Sequence, residues 1–445
     1  MVREEVTASR LIGSRLSAAI VAATLLAGCG GGSSAPALTA PSGTTITATF
    51  STQSTSSMPT AVAVSTGGAW TATTLNGSSI SFTVPSANSP YGLAYVCGAS
   101  STASSSVHIV QATAADATAV NGSCQTPPPT TALQVAFDAS QVPGASCDII
   151  SMANADTISV YNGGSSGEPA PNGTAAIFLP AGTYDTLQMA FVSQNGSAPY
   201  NCAGQNTPPL AVRLDHAVSL SPTSTTVLHA LTSSDAPSFQ TVHGTSSFAG
   251  VGYQTAAGGR FGLGVVGPIG TYAVIPAAEQ QSGDFYIGTS SDGQGDAGQQ
   301  TSTTPPTSLT VPVPPAWVMP PPTAGAAPTF NVAYSGFTLQ GSRTYSAQLQ
   351  VRSATSGAPT WFEQAFVSAA YLGGSTSWTI PDLSSVAGFP AAPAAGSSAT
   401  YIVTAEAYDQ LGRGTVLVPN EQTQIAQSSG TFTMSASSIR RHASR

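Results

Sequence analysis

The sequence predicts an all-β fold, arranged as tandem antiparallel β-sandwich domains. Apolar and polar residues alternate with a period of two in many short runs, which is the pattern of a strand with one buried face. Clusters of Gly, Pro, Asn and Ser separate these runs about every ten residues, a spacing typical of β-sandwiches. No stretch carries helical periodicity with caps over three turns, so helices are not expected to form the core.

The first sandwich domain is predicted over residues 44–127. Three of its runs place apolar side chains at alternate positions, namely Ile46/Ala48/Phe50, Ile80/Phe82/Val84 and Tyr91/Leu93/Tyr95. The alanine-rich piece over 112–120 is the best candidate for a short helix in this unit.

A second sandwich domain of the same kind is predicted over residues 130–236. Phe82–Pro85 is followed by Tyr91 and a strand, and Ile177–Pro180 is followed by Tyr184 and a strand, so we predict an internal repeat. The turn Pro180-Ala181-Gly182-Thr183-Tyr184 resembles turns of prealbumin-like and carboxypeptidase-regulatory-like β-sandwiches. That resemblance implies Ig-like or prealbumin-like domains.

Two further units follow. Residues 237–322 form a β-rich domain with predicted strands at 260–266, 270–276 and 285–287, the first two as a hairpin or meander. This domain ends in a proline-rich connector over 305–322, where 309–311 could form an edge strand because proline excludes a central one. A last sandwich domain is predicted over 323–436, followed by a frayed tail over 437–445.

The N-terminus has the layout of an export signal. Three arginines precede an apolar run over 16–26, which is too short to span a bilayer. Leu26-Ala27-Gly28-Cys29 resembles a bacterial lipobox. The resemblance implies that residues 1–28 are removed, that Cys29 carries acyl chains, and that 29–43 is a flexible tether. In such lipoproteins an aspartate directly after the cysteine tends to retain the protein in the inner membrane. Gly30 occupies that position here, which implies sorting to the outer membrane. The alternative to a lipobox is an ordinary cleavable signal with a chance cysteine.

The charge pattern excludes some partners. Charged residues make up 7% of the chain, all 11 basic residues are arginines, and no lysine is present. Nucleic-acid binding needs a basic stripe that this chain lacks, so we expect no nucleic-acid partner. The expected membrane contact is the lipid on Cys29.

Four cysteines remain beside Cys29, and an even number in an exported chain predicts disulfides. Three pairings are possible, and proximity in the sequence favours Cys97–Cys124 with Cys147–Cys202. A metal site is the rival interpretation, but no close C-x-x-C pair is present and the histidines are scattered.

Candidate catalytic and ligand motifs are weak, and we expect no catalytic, cofactor or metal residues. Residues 262–267 spell a G-x-G-x-x-G motif, but Pro268 prevents the helix that a dinucleotide needs, which favours a glycine-rich strand. The loop 292–296 offers two aspartates without the late glutamate of a calcium loop. Asp215-His216 could belong to a Ser-His-Asp site, although no G-x-S-x-G elbow is present.

The four tryptophans, Trp70, Trp317, Trp361 and Trp378, could serve either as core residues or as a sugar-stacking platform, and core packing is favoured.

The expected function is structural or binding rather than enzymatic. Segments such as Tyr91–Cys97 and Ala370–Gly374, in this order of units, resemble multi-domain envelope lipoproteins of bacteria. We predict a lipid-anchored outer-membrane protein with an adhesion-like role, on the periplasmic face or the cell surface, with a glycan or an envelope protein as partner. The alternatives are a carbohydrate-binding array using Trp361 with Trp378, and a hydrolase using His216 and Asp215.

Overall fold

The computed structural model describes most of the chain after the predicted tether. The described ranges are 43–51, 56–98, 105–125, 131–155, 158–162, 170–192, 208–266, 269–323, 327–352, 361–392, 396–409 and 418–434. Within these ranges the chain is nearly all β, which confirms the predicted fold class. The helical elements described are α1 (Ala369–Leu372) and two 3-10 turns, Ser233–Asp235 and Ala277–Glu279. None of the described helices has the length and hydropathy to cross a membrane.

The first unit is a two-layer sandwich. Its strands are β1 (Thr44–Phe50), β2 (Ser56–Ser57), β3 (Ala61–Ser65), β4 (Thr71–Thr73), β5 (Ser79–Val84), β6 (Pro90–Cys97), β7 (Ser106–Thr113), β8 (Ala119–Gly122) and β9 (Cys124–Gln125). One layer has the order β5-β1-β8 and the other the order β4-β3-β6-β7. The predicted alternation is confirmed in β1, where Ile46, Ala48 and Phe50 point into the core between the layers.

The second unit repeats this topology strand by strand. Its strands are β10 (Leu133–Asp138), β11 (Cys147–Ala153), β12 (Ile158–Asn162), β13 (Asn172–Ile177), β14 (Gly182–Phe191), β15 (Ala211–Leu220) and β16 (Thr226–Val227). The layers have the orders β13-β10-β16 and β12-β11-β14-β15. In both units the first strand pairs antiparallel on one side and parallel on the other. The predicted internal repeat is therefore confirmed as a repeat of topology.

The tyrosines of the repeat have equivalent roles. Tyr91 opens β6 and Tyr184 opens β14, and both are buried. The Tyr91 hydroxyl donates to the Ala117 carbonyl at 3.0 Å, and the Tyr184 hydroxyl donates to the Pro180 carbonyl at 3.0 Å. Each tyrosine thus brings a large ring into the core while its hydroxyl keeps a partner.

The rest of the chain adds the strands β17 (Phe239–His243), β18 (Phe248–Gln254), β19 (Arg260–Val266), β20 (Ile269–Ala273), β21 (Phe285–Ser291), β22 (Ala297–Ser302), β23 (Thr329–Asn331), β24 (Arg343–Arg352), β25 (Trp361–Ser368), β26 (Ser377–Thr379), β27 (Ser398–Tyr408) and β28 (Gln422–Thr433). The strands predicted at 260–266 and 285–287 are confirmed. The predicted hairpin of 260–266 with 270–276 is wrong, because β19 pairs with β18 whereas β20 pairs with β17.

A twelve-stranded sheet joins three of the predicted units, in the order β19-β18-β21-β22-β28-β27-β24-β25-β7-β6-β3-β4. β22 of the third unit pairs antiparallel with β28 of the last. β25 of the last unit pairs in parallel with β7 of the first, from Phe362–Ser106 to Val367–Gln111. The domain limits drawn from the sequence stay predictions, but these units are connected by main-chain hydrogen bonds.

Strand β6 is buried on both faces because of this joining. Leu93 and Tyr95 pack into the core of the first sandwich, while Ala94 and Val96 pack into the core of the last unit. A strand covered on both sides is expected to be apolar throughout rather than alternating. The run Tyr91–Cys97 has that composition.

Two local predictions fail. The stretch 112–120 is not helical: β7 continues to Thr113, a turn follows, and β8 begins at Ala119. Its turn is closed by Asp116, whose carboxylate accepts from the backbone and hydroxyl of Thr113 at 2.9 and 2.8 Å. Residues 309–311 lie outside the described strands, although the Leu309 amide donates to the His243 carbonyl of β17 at 2.8 Å, beside an isolated bridge between His243 and Ser308.

Candidate functional site

Charged side chains are rare in this chain, yet seven titratable or charged residues gather at one edge of the second sandwich. Arg213, Asp215 and His216 lie on β15, and we call them, together with Asp185, Asp235, Glu279 and Asp284, the His216 cluster. Of these seven residues, Asp215 and His216 are the ones that the sequence pattern indicates. The contiguous run Arg213–His216, in a chain with 7% charged residues, is the signal that pointed to this place.

Arg213 is the cation of the His216 cluster. Its Nε donates to Asp215 Oδ1 at 2.9 Å, and its Nη1 lies 3.4 Å from Asp235 Oδ1 and 4.0 Å from Glu279 Oε1. Burial raises the pKa of the Glu279 carboxyl, and the hydrogen bond from the Leu214 amide and the Arg213 charge oppose that rise. One guanidinium thus connects β15 to the two 3-10 turns.

His216 lies between two buried carboxylates. Its Nδ1 is 3.5 Å from Asp185 Oδ1, and its Nε2 is 3.7 Å from Asp284 Oδ2. The closest polar contact of the ring is Nε2 with the Glu279 carbonyl oxygen, at 2.8 Å. Both ring nitrogens therefore have partners on other elements.

A β-bulge positions His216. The pairing of β14 with β15 shifts register at Asp185, so that two residues of β15, His216 and Ala217, oppose one residue of β14. Ala217 has a φ of 56°, in the left-handed region that costs a non-glycine residue energy. The Ala217 amide donates to Asp185 Oδ1 at 3.0 Å, which holds the bulge.

Asp284 organises the loop on the other side of His216. Its carboxylate accepts from the Tyr253 hydroxyl at 3.0 Å and from the amides of Ala256 at 2.7 Å and Gln281 at 2.9 Å. Burial and the neighbouring Asp284 charge raise the pKa of Tyr253, so the phenol stays protonated and donates. Neither Asp284 nor Tyr253 could be found from the sequence, because both lie far from His216 along the chain.

The His216 cluster caps a sheet edge. β15 is an edge strand, and edge strands expose amide and carbonyl groups that invite another strand. The outward amide of Leu214 donates instead to Glu279 Oε2 at 2.7 Å. In the first unit the equivalent strand, β7, pairs with β25. The same edge strand of the repeat is thus paired with another strand in the first unit (β7), whereas in the second unit (β15) charged side chains cover it.

The geometry that the hydrolase alternative requires is not formed by the described residues. Asp215 hydrogen bonds to Arg213 rather than to His216. No serine of the described ranges hydrogen bonds to His216, whose ring is engaged by Glu279, Asp185 and Asp284. A nucleophile–base pair needs a hydrogen bond between serine and histidine, so these contacts fit a structural role.

A shallow cleft of about 390 Å³ adjoins the His216 cluster. It is lined by Asp215, Val218, Val227, Leu228 and His229. Val227 is 77% exposed, so the cleft presents apolar surface beside one carboxylate and one imidazole. The one carboxylate there is already paired with Arg213.

The other sequence candidates lie in a strand and in a turn where they are described. Residues 262–266 of the G-x-G-x-x-G motif lie in β19, as predicted for a glycine-rich strand; Gly267 lies outside the described residues. The loop 292–296 is a hairpin turn in which Asp292 Oδ1 accepts from the amides of Gln294 and Asp296. Among the described residues no group of three or more His, Cys, Asp or Glu side chains is arranged to hold a metal ion.

The tryptophans whose side chains are described are buried or half-buried, as core packing predicts. Trp317 and Trp378 are buried, and Trp378 Nε1 donates to Gln111 Oε1 at 2.9 Å. Trp70 is half-buried over Gly92, where any side chain would collide with the indole. The pair Trp361 with Trp378 as an exposed sugar platform is wrong, because Trp378 is 1% exposed. The side chain of Trp361 lies outside the part of the chain that the structure describes.

One of the two favoured disulfides is confirmed. Cys97 and Cys124 are bonded, with their Cα atoms 5.1 Å apart, and both are buried. Cys147 is buried and disulfide-bonded, while its predicted partner Cys202 lies outside the described residues. The predicted lipid site, Cys29, also lies outside them.

Comparison with known proteins adds two distant structural neighbours. No family model and no curated protein matches the chain. A solved calcium-stabilised adhesin, with which an Antarctic bacterium binds ice, is 11% identical, with a TM-score of 0.15, over 88% of this chain and 99% of that one. The FN1–FN3 domains of chicken CNTN1 are 11% identical, with a TM-score of 0.16, over 69% of this chain and 97% of that one.

Proposed function

We propose that this chain is a lipid-anchored protein of the bacterial envelope whose β-domains bind a partner rather than catalyse a reaction. The observation that carries the proposal is a repeated β-sandwich, with a buried Cys97–Cys124 disulfide, that follows a lipobox-like N-terminus. Disulfides form in exported proteins and are rare in the cytosol, which supports export. Acyl chains on Cys29 would hold the domains at the outer membrane.

The role of the charged residues supports binding over catalysis. Five carboxylates, one histidine and one arginine gather at the edge of β15, where each contacts a backbone amide, a carbonyl or another charge of the fold. Groups engaged in this way hold strands together. The proposed partner is a glycan or another envelope protein, met by the polar outer faces of the sandwiches.

Protease treatment of intact cells tests the adhesion role. We expect the protein to be lost from intact cells, and cells carrying it to attach to a glycan-coated or protein-coated surface more than a deletion strain does. Cys29→Ser, which removes the predicted lipid site but leaves the domains unchanged, should release the protein and abolish the attachment. Protection in intact cells, with cleavage after the outer membrane is opened, would place the protein on the periplasmic side and refute the adhesion role.

A further inference from the structure

A proline-rich strap crosses the sheet between the third and last predicted units. Residues 311–322 lie outside the described strands. From 311 to 317, every third residue is buried. Val311, Pro314 and Trp317 are buried. A period of three is that of a polyproline II helix, whereas a strand has a period of two. We call residues 311–322 the proline strap.

The inner side of the proline strap is bound to the sheet at several points. The Val311 carbonyl accepts a hydrogen bond from Thr245 Oγ1, and the Pro312 carbonyl accepts one from Gln424 Nε2. The Pro315 carbonyl accepts from the Tyr334 hydroxyl. The Met319 amide donates to Ser428 Oγ. The Trp317 and Tyr334 rings pack at 5.5 Å between centroids. These contacts hold the strap in one conformation.

The outer side of the first part of the proline strap forms an apolar ridge. Pro312, Pro315 and Val318 are exposed at every third position, each next to a buried residue of the series Val311, Pro314 and Trp317, and we call these three exposed residues the proline ridge. Val318 is 90% exposed, more than any other large hydrophobic residue among those described. At about 3.1 Å per residue, the three side chains lie about 9 Å apart along a ridge of about 19 Å. No residue from 305 to 322 is charged.

We propose that the proline ridge docks into a groove lined by aromatic side chains on a partner protein, the kind of groove that binds polyproline II segments. Such grooves take prolines and aliphatic residues spaced three apart. A segment already held in this conformation loses little conformational entropy on binding, so a short ridge suffices for a specific contact. The absence of charge in the strap favours a neutral aromatic groove over an acidic or basic one.

Titration with proteins that carry such grooves tests the proposal. The probes are three isotope-labelled domains that bind polyproline II segments, a WW, an SH3 and an EVH1 domain, each titrated with the full chain and followed by NMR. We expect saturable shifts of groove resonances in at least one domain, and at least a tenfold weakening by Val318→Asp. The matched control is Val227→Asp, a valine that is 77% exposed on β16, which should leave the affinity unchanged.

Three results would overturn the proposal. The first is the absence of saturable shifts in all three domains. The second is equal weakening by Val318→Asp and Val227→Asp. The third is a pattern in which the chain binds phosphatidylglycerol vesicles, Val318→Asp does not bind them, and no domain binds the chain. The ridge would then contact lipid rather than a protein groove. Pro315→Ala, which keeps the strap uncharged, should weaken domain binding and excludes a purely electrostatic effect of the aspartate.

Discussion

Replacing Gln111 with methionine should loosen the contact between the first and last predicted units. Gln111 lies on β7, is 5% exposed, and faces the core of the last unit. Its Nε2 donates to the Tyr371 hydroxyl at 3.0 Å, and its Oε1 accepts from Trp378 Nε1 at 2.9 Å. One amide thus satisfies a buried indole and holds the turn of α1, beside the parallel pairing of β7 with β25.

The magnitude follows from the groups that lose their partners. Trp378 is 1% exposed, so its orphaned N–H should cost roughly 1–3 kcal/mol. The half-buried Tyr371 hydroxyl can reach water, and its lost hydrogen bond should cost about 1 kcal/mol. Methionine has a similar length and recovers about 1 kcal/mol by burying apolar surface. The expected net loss is about 2 kcal/mol.

Hydrogen exchange of the β25 amides, Phe362–Val367, measures the local opening of this contact. We expect their protection to fall by the factor that corresponds to about 2 kcal/mol, roughly 30-fold. Gln350→Met on the neighbouring strand β24 is the control, since Gln350 is exposed and should change protection little. Unchanged protection in Gln111→Met, or an equal fall in both variants, would refute the reasoning.

Three further predictions follow from other buried groups. Cys97→Ala with Cys124→Ala opens a loop of 27 residues and should cost about 3.5 kcal/mol in urea unfolding; an unchanged midpoint would count against a stabilising disulfide. Burial raises the pKa of Asp148 to about 8. The native protein therefore holds one more proton than the unfolded chain between about pH 4 and about pH 8, so the free energy of unfolding should fall as pH rises through that window. Asp148→Asn should flatten this pH dependence, which is measured by unfolding at several pH values. Asp284→Ala should cost roughly 2–4 kcal/mol because three donors lose their acceptor, whereas the exposed Asp382→Ala should cost well under 1 kcal/mol; equal melting temperatures would contradict this.

Local patterns were sufficient to predict the fold class and the sandwich repeat. Alternation at Ile46, Ala48 and Phe50 predicts the buried face of β1, since a one-sided strand must repeat with period two. The turn followed by a tyrosine predicts the start of β6 and of β14, because each tyrosine anchors its strand in a core. Proximity in the sequence was sufficient for Cys97–Cys124, whose cysteines belong to one sandwich.

Long-range pairing could not be predicted from the same patterns. β7 and β25 are separated by about 250 residues, and parallel pairing leaves no turn signature between its strands. The burial of β6 on both faces follows from that pairing, although the apolar run Tyr91–Cys97 carries a trace of it. The His216 cluster is likewise assembled from four separate segments, so the sequence shows only the run on β15.

The chemical state of the mature N-terminus tests the central claim most directly. Mass spectrometry of the protein extracted from membranes with detergent should find an N-terminal peptide that begins at Cys29 and carries a diacylglycerol with a further acyl chain. Cys29→Ser should give no acylated peptide and should leave the membrane fraction. A wild-type N-terminal peptide that begins elsewhere, or that contains an unmodified Cys29, would contradict the account of a lipid-anchored envelope protein.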